Sequence, residues 1–110
     1  MSKVQATVQA GVCGFVTEVV ATSADQQHVE FQVTSTCEKI TDLAAQLPAV
    51  DAYAEIGAGF EGELLKTVCA CLLGCCSGCA VPVGLFRAMQ VAAGLALPRP
   101  VTIEIAKTLE

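Results

Sequence analysis

Residues 29–38 read VEFQVTSTCE, and within these positions the pattern of a strand gives way to that of a helix. Apolar and polar residues alternate from Val29 to Val33, which indicates a strand with one buried face. Ser35 and Glu38 then have the spacing of a capping box, in which Ser35 caps the helix and Glu38 reaches back to the Ser35 amide. This junction predicts a helix that folds back onto the sheet it has just left.

The flanking sequence extends this pattern in both directions. The predicted strands are 4–9, 16–22, 29–34 and 101–105, and the predicted helices are 36–47, 61–73 and 82–93. An order of β-β-β-α-α-α-β with one wet sheet face predicts an α+β fold. We expect a single domain over residues 1–110, built as a two-layer sandwich. Its antiparallel sheet should carry the helices on one face, and its last strand should lie beside the first.

Composition excludes several classes of protein. The chain has 110 residues, of which 54% are hydrophobic and 15% charged, and its net charge is −5. A disordered chain would have low hydrophobicity and high net charge. No run of basic residues is present to bind phosphates, so we expect no nucleic-acid partner.

The cysteine content and the first residues bear on the compartment. No apolar segment typical of a signal peptide follows Lys3. The seven cysteines are an odd number, so they do not all pair, and they favour a reduced, cytoplasmic protein over a secreted disulfide scaffold.

A membrane span is the alternative interpretation of residues 68–86. The segment contains no charged residue, and Lys66 and Arg87 flank it. Its length passes the usual threshold for a transmembrane helix. However, the GCCSG motif at 74–78 is typical of a loop, and irregular backbone is not tolerated in contact with lipid. We therefore expect no membrane association.

Three cysteines occupy positions that favour thiolate chemistry. Cys13 lies between two glycines after the first strand, Cys37 lies in the first turn of a predicted helix, and Cys79 precedes the helix that Pro82 begins. Unpaired N–H groups at a helix start stabilise a thiolate, which is the form that binds metals. The alternative is that each cysteine is a small buried hydrophobic residue.

A denser cluster, CACLLGCCSGC, spans residues 69–79. Cys76 and Cys79 form a C-x-x-C pair, whose sulfurs can reach one tetrahedral metal or each other. Cys75 is a further candidate ligand, whereas Cys69 is expected to face inward beside Leu65 and Val68. The spacing matches neither the ferredoxin run nor a zinc ribbon.

No set of catalytic residues is indicated. His28 is the single histidine and is expected to be a solvated turn residue, which leaves a Cys–His couple unsupported. Arg87 is expected to extend to the surface. No phosphate-binding or dinucleotide motif occurs. The sequence therefore favours a binding protein over an enzyme.

The cysteine motifs resemble those of a small uncharacterised family of anaerobic bacteria and archaea. The resemblance rests on Cys13-Gly14-Phe15, on the Ser-x-Cys helix start at Cys37 and on Cys79-Ala80-Val81-Pro82. More distantly, the layout is similar to the U-type iron–sulfur cluster assembly scaffolds, in which three cysteines converge on a labile cluster or a zinc ion. Two scaffold ligands are missing, because Phe15 replaces an aspartate and Gly78 replaces a histidine.

These observations predict a thiolate metal site that holds an iron–sulfur cluster or zinc. The expected ligands are Cys13, Cys37 and Cys79, with Cys76 or Cys75 as the fourth. One alternative is a thiol–disulfide redox protein that uses Cys76 and Cys79. The other is a homo-oligomeric interaction module without catalytic activity, which associates through an apolar helix face.

Overall fold

The computed structural model describes residues 1–108, apart from the side chain of Cys75. It confirms the α+β class, with an antiparallel four-stranded sheet of order β1-β2-β3-β4 and helices packed on it. The strands are β1 Ser2–Gln9, β2 Val16–Ser23, β3 His28–Ser35 and β4 Val50–Asp51. The α-helices are α1 Glu38–Ala44, α2 Ala52–Ala58, α3 Glu63–Cys71 and α4 Val81–Ala92. Two 3-10 turns cover Gly59–Glu61 and Gly74–Gly78.

The first three strands follow the predicted meander. Val4 faces Ala21 across the β1–β2 pair, and Val19 faces Val33 across the β2–β3 pair. Val19 and Ala21 are completely buried, whereas the residues that alternate with them are partly exposed. The period-two pattern therefore sets which face of the sheet carries the core.

Three of the helices cover the core-facing side of the sheet. α4 packs against β1 and β2, α1 packs against β3, and α3 lies between α1 and α4. Gly84 allows the close approach of α4 to β1, because a Cβ atom at this position would overlap the Val8 side chain. The end of α4 is as predicted, since Gly94 follows it with φ of 75°.

The predicted capping box is wrong. β3 continues through Ser35, so the helix starts later and its N-cap residue is Cys37. The Ser35 hydroxyl accepts the N–H of Cys37 at 3.1 Å, and no side chain caps the helix. The position at which the strand ends thus moves the helix start by two residues.

The fourth strand also differs from the prediction. Residues 101–105 form no strand, and the sheet is completed by β4, which pairs with the start of β3 through His28↔Asp51 and Val29↔Val50. Pro98 and Pro100 come directly before this segment. They lack N–H groups, and their rings restrict the backbone. That segment runs along the side of β1 without joining its ladder.

Residues 68–86 are divided among α3, a 3-10 turn and α4. In the described part of the chain, no helix has both the length and the apolar character needed to cross a bilayer.

Candidate metal centre

One end of the sheet carries the segments that hold Cys13 and Cys37. Gln9 pairs with Val16, so the Cys13 loop leaves the sheet at the same end as the start of β2. Thr17 pairs with Ser35, which brings the chain that enters α1 to that same end. The antiparallel register alone therefore places the segments that carry these two cysteines at the same end of the sheet.

Cys13 is exposed at the tip of a tight turn. The Gly14 N–H donates to the Gly11 carbonyl at 2.9 Å, and both glycines have positive φ, of 72° and 82°. At the base of the loop, the Ala10 N–H donates a hydrogen bond to the Phe15 carbonyl at 3.1 Å. Cys13 is thus presented to solvent.

Cys37 is half-buried at the start of α1 and packs against the core. Its carbonyl accepts the backbone N–H of Thr41 at 2.9 Å and the Thr41 hydroxyl at 3.0 Å. Its backbone is therefore fixed on both sides, while no side chain caps the helix. The first-turn N–H groups of α1 remain available to a negative group at this position.

Three more half-buried thiols pack against the same core: Cys71 at the end of α3, and Cys76 and Cys79 between α3 and α4. The N–H of Cys79 donates to the carbonyl of Cys76 at 3.0 Å, which closes the 3-10 turn. The Cys79 sulfur in turn accepts the N–H of Val81 at 3.5 Å, at the first residue of α4. Cys79 is therefore a thiol placed against a helix start, as the sequence predicts.

A hydrogen bond joins the two cysteine-bearing regions. The Lys39 ammonium, in the first turn of α1, donates to the Leu73 carbonyl at 3.2 Å. Leu73 lies between Cys71 and the 3-10 turn that contains Cys76, so this contact brings the Cys37 helix start beside the second cysteine segment.

The described thiols do not form a ready coordination sphere. Among the described residues, no group of three or more His, Cys, Asp or Glu side chains is arranged to hold a metal ion. The donor type still fits zinc or an iron–sulfur cluster, because these take thiolates. Cys75 lies in the 3-10 turn, and its side chain is outside the described part of the structure.

Cys69 does not face inward as predicted. It is exposed on α3, and Cys71 contacts the core instead. The reason is helical phase, since Leu64, Leu65, Val68 and Leu72 form the buried stripe and the position after Val68 turns away from it.

His28 lies at the opposite end of the sheet, where β3 begins. It is exposed, and its Nδ1 lies 2.7 Å from Asp25 Oδ2. The hydrogen bond to Asp25 raises the pKa of His28 above the usual 6.5, and the same bond holds the pKa of Asp25 well below its usual range. This pair orders the β2–β3 turn and lies away from the Cys37 helix start.

Two further features are not apparent from the sequence. Glu55 is 4% exposed, and its carboxylate accepts the N–H groups of Glu63 and Leu64, so α2 supplies the cap of α3. Arg87 is exposed, as predicted, and lies at the rim of an apolar pocket of about 330 Å³ that Phe60 and Phe86 also line. Only contacts between distant segments create these two arrangements.

Residues 4–105 match a family of unknown function (DUF6951), and the chain belongs to this family. No curated protein and no solved structure shows a significant match to it.

Proposed function

We propose that this member of the family is a metal-binding protein whose cysteine thiolates hold an iron–sulfur cluster or a zinc ion. The observation that supports the proposal is that the half-buried thiols of Cys37, Cys76 and Cys79 pack against one core, on segments that the bond between Lys39 and Leu73 joins. Cys37, Cys76 and Cys79 are the proposed central ligands. Cys13 or Cys75 completes the set.

Two features of the thiols favour ligand binding over packing. Buried structural cysteines are inert because apolar surroundings disfavour the thiolate. Here Cys37 and Cys79 are only half-buried and lie at the N-terminal ends of α1 and α4, where helix N–H groups can contact a sulfur atom. The bond from the Val81 N–H to the Cys79 sulfur is one such contact.

Metal binding would draw the thiols together. The exposed Cys13 loop and the 3-10 turn at Gly74–Gly78 are the segments that would move, because neither contributes to the sheet. Ordering these segments around a metal couples binding to stability. The proposal therefore predicts a higher thermal midpoint for the metal-loaded protein than for the chelator-treated protein.

The resemblance to U-type scaffolds favours an iron–sulfur cluster, while the missing aspartate and histidine ligands favour an all-thiolate site. Zinc and iron–sulfur clusters both accept four thiolates. Elemental analysis and visible absorption of anaerobically purified protein distinguish them, since a cluster is coloured and contains iron and sulfide. Protein that lacks both zinc and iron, and that takes up neither after reconstitution, would exclude the proposal.

The ligands are identified by metal content per chain in single variants. We expect Cys37→Ala and Cys79→Ala to lose the metal while remaining folded, as judged by circular dichroism. Cys69→Ala is the matched control, because Cys69 is exposed on α3 and outside the proposed set. Loss of metal from the control, with retention in Cys37→Ala, would assign the site to residues 69–79 alone.

A thiol–disulfide redox protein is the second candidate, favoured by the single 3-10 turn that joins Cys76 to Cys79. In this scheme the Cys79 thiolate attacks a substrate disulfide and releases one thiolate. Cys76 then displaces the second, so the substrate gains two electrons and the pair becomes a disulfide. Reversible loss of two thiols, abolished by Cys76→Ser but not by Cys69→Ser, would support this function over metal binding.

A further inference from the structure

Residues 97–105, here called the extended segment, have the pattern of a strand without the burial of one. Val101, Ile103 and Ile105 alternate with Thr102 and Glu104. All five are exposed, and 66% of Ile103 and 92% of Ile105 are open to solvent. An alternating stretch of this kind normally buries its apolar side against a sheet.

β1 forms one edge of the sheet. In the described part of the chain it pairs with β2 alone, so alternate backbone N–H and C=O groups on its other side have no ladder partner. Its core-facing residues Val4 and Ala6 are only half-buried, whereas Val19 and Ala21 of β2 are fully buried. An uncovered edge strand is a template for pairing with another strand.

A groove of about 650 Å³ lies between this edge and the extended segment. Residues 4–9 of β1 form one wall, one face of α4 forms the floor, and residues 97–103 form the opposite wall. Pro98 and Pro100 lie in this wall, and their rings restrict the backbone of the segment. The chain's own segment thus borders the groove without filling it.

We propose that the extended segment of a second copy fills this groove, and that the exchange is reciprocal. The two segments then lie side by side and antiparallel about a two-fold axis. The strand order across the dimer becomes β1, the partner's segment, the chain's own segment and the partner's β1. One groove with one strand-shaped occupant on each copy gives closed two-fold symmetry, the commonest form of homo-oligomer.

Side-chain chemistry agrees with this occupant. Placed beside β1, the apolar residues of the segment would join Val4 and Ala6 on the core side. The outer face of β1 carries Lys3 among uncharged polar residues, and the outer face of the segment carries Glu104, so the two charges are opposite in sign. Opposite charges on neighbouring strands stabilise pairing.

The first experiment measures molar mass by sedimentation velocity in reducing buffer with a chelator, so that neither disulfides nor metal contribute. We expect the molar mass of the wild type to be twice the 11.3 kDa of one chain. Ile103→Glu should be a monomer. Thr102→Pro, which removes a backbone donor from the segment, should also be a monomer. Both changes lie in an exposed segment outside the core, so the variants should fold normally.

Phe60→Glu is the matched control, because Phe60 is 84% exposed and lies outside the groove. It should remain a dimer. Dissociation of this variant as well would show general apolar adhesion and overturn the proposal, as would a monomeric wild type or a dimer that Ile103→Glu leaves intact.

A second experiment identifies the chain that supplies the strand. In an equal mixture of isotope-labelled and unlabelled copies, filtered nuclear Overhauser spectra should show contacts between residues 101–105 of one copy and β1 of the other. Contacts confined within one copy would mean that the segment closes on its own β1, and the exchange would be rejected. Loss of the dimer with intact metal binding would leave the proposed function untouched.

Discussion

The Glu55 carboxylate accepts a 2.6 Å hydrogen bond from the backbone N–H of Leu64. Its second oxygen accepts the N–H of Glu63 at 3.2 Å, so one buried side chain of α2 satisfies two donors at the start of α3. The residue that precedes α3 is Gly62, which has no side chain to cap the helix. The position of α3, and with it Cys71, therefore depends on a residue from another helix.

Replacement of Glu55 should destabilise the fold without touching the thiols. Glu55→Ala leaves two helix N–H groups without their acceptor, so we expect a loss of about 2 kcal/mol in the free energy of unfolding. Urea denaturation followed by circular dichroism measures it. Glu63→Ala is the control, since the Glu63 side chain is exposed and should change stability by less than about 0.5 kcal/mol. Equal effects of the two variants would contradict the capping role.

The contact between α4 and β1 gives a second prediction. Gly84→Ala adds a methyl group that overlaps Val8, so we expect a destabilisation of about 1–3 kcal/mol. Val8→Ala removes the opposing methyl groups and should recover part of this loss in the double variant. A double-mutant cycle on unfolding free energies measures the coupling. Strict additivity would indicate that α4 relaxes away from β1.

The Asp25–His28 pair predicts a pH dependence. Asp25→Asn should bring the pKa of His28 down toward 6.5, because the hydrogen bond that raises it is weakened. The raised pKa of His28 means that its stabilisation is present below pH 6.5 and is lost as the pH rises through the folded-state pKa. The lowered pKa of Asp25 means that its stabilisation is present above pH 3.8 and is lost on acidification.

The pair should therefore contribute most between these two values, in weakly acidic solution. An NMR titration of the His28 ring protons in wild type and Asp25→Asn measures the shift. Glu30→Gln is a suitable control, because Glu30 is exposed on the same strand and is not among the groups that shift the pKa of His28. An unchanged His28 pKa in Asp25→Asn would contradict the assignment.

The two helical cysteines of α3 should differ in their effect on stability. Cys71 packs against the core, so Cys71→Ala should lower the unfolding free energy by about 1 kcal/mol. Cys69 is exposed, so Cys69→Ala should stay within about 0.5 kcal/mol of wild type. Thermal unfolding of both variants under reducing, metal-free conditions measures the difference. A larger loss for Cys69→Ala would reverse the helical phase assigned to α3.

The sequence by itself determined the three-strand meander, the α+β class and the extent of α4. The alternation from Val4 to Val8 and from Val29 to Val33 indicates which side chains become buried. Pro82 and Gly94 mark the two ends of a helix through their own backbone preferences. These signals are local, because they depend on a residue and its neighbours in sequence and not on distant parts of the chain.

Only the tertiary structure decided the features that depend on a partner far along the chain. Val50 and Asp51 became a strand because β3 offered them an edge, and residues 101–105 did not because the groove separates them from β1. The Glu55 cap and the bond between Lys39 and Leu73 likewise join segments with no shared pattern. Hydrogen bonds between distant segments leave no periodicity in the sequence, so they become visible only when the chain is folded.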